Sequence, residues 1–281
     1  MSARRTRLRL AQNLFVSDKP ARLLVASADL TPGDLVYDLG AGTGAVTAAL
    51  LATGARVVAV ECDPNLARKL RARFAGQPVR VVEADLRDVR FATPFKVVAN
   101  PPFNVTADLL RRLLRPDGPE AAALVLQREA ARKYAGARPT AVSLAARPWF
   151  DLDISQPFSR HDFAPSPAVE VAVLRITMKA APDIAAEDAE LWRAFVRYAL
   201  ARPRPDAWHT FRGLVSNLQW RRLSRNLAMA PHVLRAELDY DHWLGVFRFV
   251  RRCAPPGKLQ RLCEASGRRE LGGAPVISNQ K

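Results

Sequence analysis

Asn100-Pro101-Pro102-Phe103 is the segment of this 281-residue chain whose chemistry goes furthest beyond a turn. Asn and Pro favour turns, so an Asn-Pro pair alone would carry little information. Two consecutive prolines fix φ and remove two backbone N–H groups. The segment therefore presents carbonyl acceptors, and the Asn100 side chain can add another oxygen. Such acceptors suit the two hydrogens of an exocyclic amine. Phe103 supplies a flat face on which a heteroaromatic ring can stack.

A second constellation lies upstream. Asp38-Leu39-Gly40-Ala41-Gly42-Thr43-Gly44 follows an apolar run and opens a helical pattern. Glycines let a backbone turn tightly and approach a ligand, and a helix start offers unpaired N–H groups. Glu61 ends the next apolar run, where a carboxylate can accept both hydroxyl protons of a ribose. Gly40, Gly42 and Ala45 also satisfy the dinucleotide pattern, so the loop alone leaves the cofactor open. Asp38 would repel a pyrophosphate but suits a cofactor with an ammonium end. Asp85 closes the third apolar run. It could accept from an adenine amino group, or simply cap a helix.

Together these groups suit methyl transfer to a purine amine. That nitrogen is a poor nucleophile because its lone pair is delocalised into the ring. Two acceptors holding its hydrogens favour a pyramidal nitrogen aimed at a methyl donor. A sulfonium donor needs no strong base, so catalysis reduces to positioning and electrostatics. Charge developing on the nitrogen can be met by the Phe103 ring face.

The elements that must hold these residues are legible as pattern. Runs at 35–39, 55–60, 79–82, 95–99 and 121–126 are rich in Val, Ala and Leu, as parallel strands covered on both faces are. Helical patterns at 46–53, 64–74, 105–114 and 128–135 separate them. Segments 149–155 and 169–177 alternate, which predicts antiparallel pairing. The sum is an α/β, Rossmann-like doubly wound domain over residues 1–178. Beyond it the chain reads as helices at 187–201, about 206–227, 232–238 and 240–250, a small all-α domain over 179–251. Residues 252–281, with Pro255-Pro256-Gly257 and Gly272-Gly273, read as a flexible basic tail.

Composition narrows the partners. Lys plus Arg is 43 against 27 acidic residues, a net of +16, which points to a polyanion such as nucleic acid. Residues 179–281 hold 18 basic and 10 acidic side chains, the denser basic share. The longest apolar run, 121–126, is far short of a membrane span. Cys62, Cys253 and Cys263 are too scattered for a disulfide framework, and the four histidines lack metal-ligand spacing. A soluble cytoplasmic monomer without metal is expected.

With these residues assembled, the chain resembles the rRNA adenine N6-methyltransferases, the superfamily of the Erm resistance enzymes and the KsgA-type dimethylases. Gln12-Asn13-Leu14-Phe15 is similar to the family's Gln-Asn-Phe-Leu segment over the methionine end of the cofactor, with Leu and Phe exchanged. Asp38–Gly44 with Thr47, Glu61 and Asp85 look like its cofactor-binding positions, although the family usually has Glu where Asp38 stands. Asn100–Phe103 matches its catalytic motif, though many members have Ile or Leu at Pro101. Leu126–Glu129 and Phe163-x-Pro165-x-Pro167-x-Val169 match later motifs.

The resemblance implies S-adenosyl-L-methionine as cofactor, bound by Gln12, Asn13, Phe15, Asp38, Gly40, Gly42, Gly44, Glu61, Asp85 and Asn100. It implies Asn100, Pro101, Pro102 and Phe103 as the catalytic residues and N6 of an adenine in protein-free or precursor 23S rRNA as the target, with resistance to macrolide-type antibiotics as the outcome. The Arg-rich start, high Ala, Arg and Pro usage and the C-terminal extension favour the Erm branch. A KsgA-like 16S dimethyltransferase and a DNA adenine methyltransferase are the alternatives.

Arg111, Arg112, Arg115, Arg221, Arg222 and Arg225 are the candidate RNA contacts, beside Arg4, Arg5, Arg7 and Arg9. Trp192, Trp208, Trp220 and Trp243 are expected to pack the helical domain.

Overall fold

The computed structural model describes residues 13–136, 138–155, 158–203, 205–230 and 232–270. Gln12, the arginines before it and residues 271–281 lie outside the described residues.

Five apolar runs form parallel strands: β2 (Leu35–Leu39), β3 (Arg56–Glu61), β4 (Val79–Glu83), β5 (Lys96–Ala99) and β6 (Ala121–Gln127). The two alternating segments become β7 (Phe150–Ser155) and β9 (Val171–Met178), antiparallel on the β6 side. The sheet order is β4-β3-β2-β5-β6-β9-β7. A second, two-stranded ladder joins β1 (Leu14–Phe15) to β8 (Phe163–Ala164).

Central strands explain their composition. Val97, Val98, Ala99 and Ala123 to Leu126 are fully buried, which requires side chains without polar atoms on both faces. Helices α1 (Asp18–Ala26) and α2 (Ala45–Leu51) pack Ala21, Leu24, Val46 and Leu50 against Val36, Val57, Val98 and Ala123 of the sheet. Helix α3 (Pro64–Arg73) starts as its sequence predicts: Pro64 is the first helical residue, and the Asp63 side chain accepts from the Asn65 and Leu66 N–H groups. Helix α4 (Thr106–Leu113) buries Thr106, Leu109, Leu110 and Leu113, a single helical stripe. Helix α5 (Arg128–Ala135) follows β6.

The chain divides into two compact units, and not at a single cut. Residues 149–181 return to the sheet unit, whereas 137–148 group with the helices from 182 onward. The sequence reading runs the first domain unbroken to 178. The short helix α6 (Ala141–Ala146) accounts for the difference. Trp192 is fully buried, and its indole N–H donates to the Leu144 carbonyl at 2.7 Å. A buried donor needs such a partner, and α6 supplies it.

The rest of the helical unit comprises α7 (Ala189–Leu200), α8 (Ala207–Phe211), α9 (Asn217–Asn226), α10 (Tyr240–Cys253) and α11 (Pro256–Glu270). The single helix expected over 206–227 is two, with Ser216 capping the second through a reciprocal bond with Gln219. The helix expected over 232–238 is a short 3-10 turn at Arg235–Glu237. Nor does a tail begin at 252. Helix α10 continues to Cys253, and Pro256 occupies the first position of α11, where a missing N–H costs nothing. Helix α11 packs on α7, and Leu262 is buried. Among the described residues, no helix is long and apolar enough to cross a membrane.

Candidate functional site

The sheet order sets where a ligand can enter. From β2 the chain steps outward to β3 and β4, then returns to β5 and β6 on the opposite side of β2. The carboxyl ends of β2 and β5 therefore flank a crevice, the usual ligand position in an open α/β sheet. Asp38 and the glycine loop leave β2, Glu61 ends β3, Asp85 follows β4, and Asn100 follows β5. Gly40, Glu61, Cys62, Asp85, Pro102 and Val105 line one continuous cleft.

Loop and motif touch. Gly40 has φ +83°, and a Cβ there would lie 3.2 Å from Pro102 Cδ. Only glycine takes that conformation and that approach without strain. The Gly42 N–H donates to Glu61 Oε2 at 2.9 Å, and the Asp63 N–H donates to Oε1 at 2.9 Å. Glu61, 1% exposed, is thus fixed by two backbone donors, with lone pairs left on both oxygens.

Asp38 is equally buried, at 1% exposure. The Thr47 hydroxyl donates to its Oδ2 at 2.6 Å, while Oδ1 is buried without a hydrogen bond. Burial pushes the Asp38 carboxyl up to about 7, against the Thr47 hydrogen bond and with help from the Glu61 charge. A bare buried carboxylate oxygen is a demand for a cationic or proton-bearing partner.

Asp85 caps no helix; a turn follows it. Arg87 closes on it through Nε at 2.9 Å and Nη2 at 2.5 Å. The carboxylate lines the cleft but already carries one guanidinium. Nothing in the residue order flagged Arg87, since an arginine two residues from an acid in a loop looks like ordinary surface.

At the motif, the Asn100 Nδ2 donates to the Asn13 carbonyl at 2.7 Å. This commits the amide nitrogen and leaves Oδ1 as the acceptor. The Pro102 carbonyl is not free as the sequence reading expects. It accepts from the Val105 N–H at 3.1 Å and closes the turn Phe103–Val105. Among the described residues, the Pro101 carbonyl takes no hydrogen bond. Phe103 is half-buried and leans on the core beneath α1 and α2.

Phe15 does not line the cleft of Gly40, Glu61 and Asp85. It pairs with Phe163 across the β1–β8 ladder and packs against Phe158 and Phe163 at centroid distances of 5.6 and 5.1 Å. Side chains alternate along a strand, so its neighbour Leu14 turns the other way. Leu14 Cδ2 stands 2.8 Å from the point where a Gly42 Cβ would be. Leu14 is the member of the segment at the glycine loop, and the Leu–Phe exchange is what hid it.

The candidate RNA-contact arginines separate into three kinds. Arg112 is structural: its guanidinium donates to the Leu86, Arg87 and Val89 carbonyls and lies over the Phe91 ring. Arg111 and Arg115 are exposed but face Asp108 and Asp117. Arg221, Arg222 and Arg225 are exposed on α9 with no acidic partner among the described residues. Nor do the described residues bring three or more His, Cys, Asp or Glu together as a metal site.

Comparison with known proteins gives a consistent family. The family model for ribosomal RNA adenine dimethylase matches residues 3–250. Mycinamicin-resistance protein MyrB of Micromonospora griseorubida is 32% identical over 265 residues, covering 90% of this chain and 83% of that protein. Ribosomal RNA small subunit methyltransferase A of Synechococcus sp. (strain JA-2-3B'a(2-13)) is 33% identical over 231 residues, 78% of this chain and 82% of its own. In three dimensions, the crystal structure of the 23S rRNA methyltransferase ErmE superposes with a TM-score of 0.77 at 24% identity, over 85% of this chain and 100% of that one.

Proposed function

Because the chain belongs to the ribosomal RNA adenine dimethylase family, we propose that it methylates N6 of an adenine in 23S rRNA from S-adenosyl-L-methionine and so protects ribosomes from macrolide-type antibiotics. The residues fit that cofactor. The bare Asp38 Oδ1 suits its ammonium, the lone pairs left on Glu61 suit its ribose diol, and the cleft runs on to Asp85 beside its adenine. Glycines 40, 42 and 44 let the backbone approach it. The cofactor, when bound, supplies an electrophilic methyl group on a cationic sulfonium.

The chain's own residues hold the acceptor base. The Asn100 Oδ1 and the Pro101 carbonyl accept the two hydrogens of the target amine, which draws its lone pair out of the ring. The half-buried Phe103 ring gives the purine a face to stack on. After transfer the extra proton leaves to water, since neither acceptor is basic. The target adenine must be unpaired or extruded to reach this depth. The working location inferred from such a substrate is the cytoplasm, and a monomer suffices, since the groups named all come from one chain.

The observation that carries this reading is the bond from Asn100 to the Asn13 carbonyl, which orients the amide with an acceptor to spare. The resistance branch is favoured by the relative named for mycinamicin resistance. A small-subunit target is the second reading, favoured by a relative at 33% identity against 32% for the resistance protein.

Purified protein with labelled cofactor should mark protein-free 23S rRNA, mass analysis should find N6-methylated adenosine, and expressing cells should tolerate macrolides. Label confined to 16S rRNA would select the second reading. Asn100→Ala should cut kcat by about 10²–10³, the effect of losing one preorganised polar group, with the cofactor Kd shifted far less. Unchanged turnover would reject the two-acceptor mechanism.

A further inference from the structure

The aromatic residues of the helical unit form a ladder. Phe195 stacks on Phe211 at 5.4 Å, Phe211 meets Trp220 at 5.9 Å, and Trp220 meets Trp208 at 6.3 Å. Its inner members are core, with Phe195 and Phe211 fully buried and Trp220 4% exposed. Trp208 is different. It is half-buried, and it opens on a groove of about 850 Å³ within the same unit. That volume falls in the ~300–1,000 Å³ range of small-ligand sites.

The groove is not a plain apolar gap. Arg221 and Arg225 line it from α9 with no acidic partner among the described residues. Asn217 adds an amide that can both donate and accept. The one carboxylate on its wall, Asp206, is already committed to the His209 N–H and ring at 2.8 and 2.7 Å. An indole face, an amide and two cations without counter-charge match a base, its edge and its phosphate. Sequence reasoning assigns Trp208 to packing; its half-buried position on the groove beside these arginines argues otherwise.

We propose that this groove binds one unpaired nucleotide of RNA, with the base stacked on Trp208 and the phosphate held by Arg221 and Arg225. The groove belongs to the helical unit, whereas the crevice that takes the target adenine belongs to the sheet unit. The inference rests on the rRNA reading for its choice of ligand. An indole platform with flanking cations holds single strands of any sequence, because every base has a π-face.

The test uses the full chain and a fluorescent single-stranded oligouridylate twelve-mer, with a blunt duplex of equal length as control. Trp208→Ala should weaken the single strand by about tenfold and the duplex far less, whereas Trp208→Phe should recover most of the loss. Arg221→Gln with Arg225→Gln, both exposed substitutions, should flatten the slope of log Kd on log salt by about 0.7 per lost contact. The same variants should raise the KM for 23S rRNA. Single-strand affinity and salt slope at wild-type values would overturn the proposal, and a groove built for a peptide would give that result. A Trp208→Phe protein as weak as Trp208→Ala would reduce Trp208 to packing and overturn it too. The two readings fail separately. If wild type methylates 23S rRNA while the groove variants bind normally, only the groove is lost. If groove variants lose oligonucleotide binding but wild type marks no rRNA, only the functional reading is lost.

Discussion

Asp38 is held in a position that the free protein would gain by neutralising. Its carboxyl is buried, one oxygen is unpaired, and its pKa lies near 7 against an ordinary value of 3.8. The folded chain therefore binds this proton more tightly than the unfolded chain. Stability falls as pH rises from about 4 to about 7 and then levels, because the charge must be buried without a partner. Asp38→Asn should remove that slope and raise stability at pH 8 by on the order of 1–3 kcal/mol. It should also weaken S-adenosyl-L-methionine binding at least about tenfold, the loss of one buried ionic partner. Melting curves across pH and calorimetry would check both. A free-protein stability independent of pH near neutrality would contradict the burial argument. Wild-type affinity for the cofactor should rise between about pH 6 and 8, because the ammonium needs the ionised form.

At the scale of elements, Arg112 shows why a basic residue on a helix is not by itself an RNA contact. From α4 it ties down the carbonyls of Leu86, Arg87 and Val89, in the loop that carries Asp85. Arg112→Gln should cost about 1–3 kcal/mol, the scale of unpaired buried polar groups, and should leave the salt slope of RNA binding unchanged. Denaturant unfolding and salt titration measure the two. This also marks how far the sequence could be read. The glycine loop, Glu61 and Asn100–Phe103 were legible because their chemistry is local: residue type, strand end and turn suffice. The partners of Arg112 lie more than twenty residues away in the chain, so its spacing matches any solvated helix face. Leu14 and Phe15 differ only in which way each points, which the β1–β8 pairing decides. Helix α6 has six residues, too few for a periodic signal.

The whole molecule is threaded rather than strung. The helical unit takes residues 137–148 from the middle of the sheet unit's sequence, so neither unit is a continuous stretch of chain. Its end is also integral, since α11 lies on α7 with Leu262 buried. Truncation after Arg252 should therefore destabilise the helical unit by about 2–5 kcal/mol, the cost of emptying a core position, and not merely loosen RNA. Thermal melts of the truncated protein would test this; an unchanged Tm would return residues 253–270 to the role of a tether. The net charge of +16 then acts over the assembled surface and draws RNA in a salt-dependent way.

The β1–β8 ladder sets an order of emergence. Leu14 and Phe15 are made well before their strand partners among the described residues, Phe163 and Ala164, which follow roughly 150 residues later. Until then the carbonyl that steadies Asn100 has no anchored strand behind it. A nascent chain would thus carry Asn100–Phe103 about 60 residues before β8 could pin β1, and competence to methylate would wait at least until Ala164 had been added.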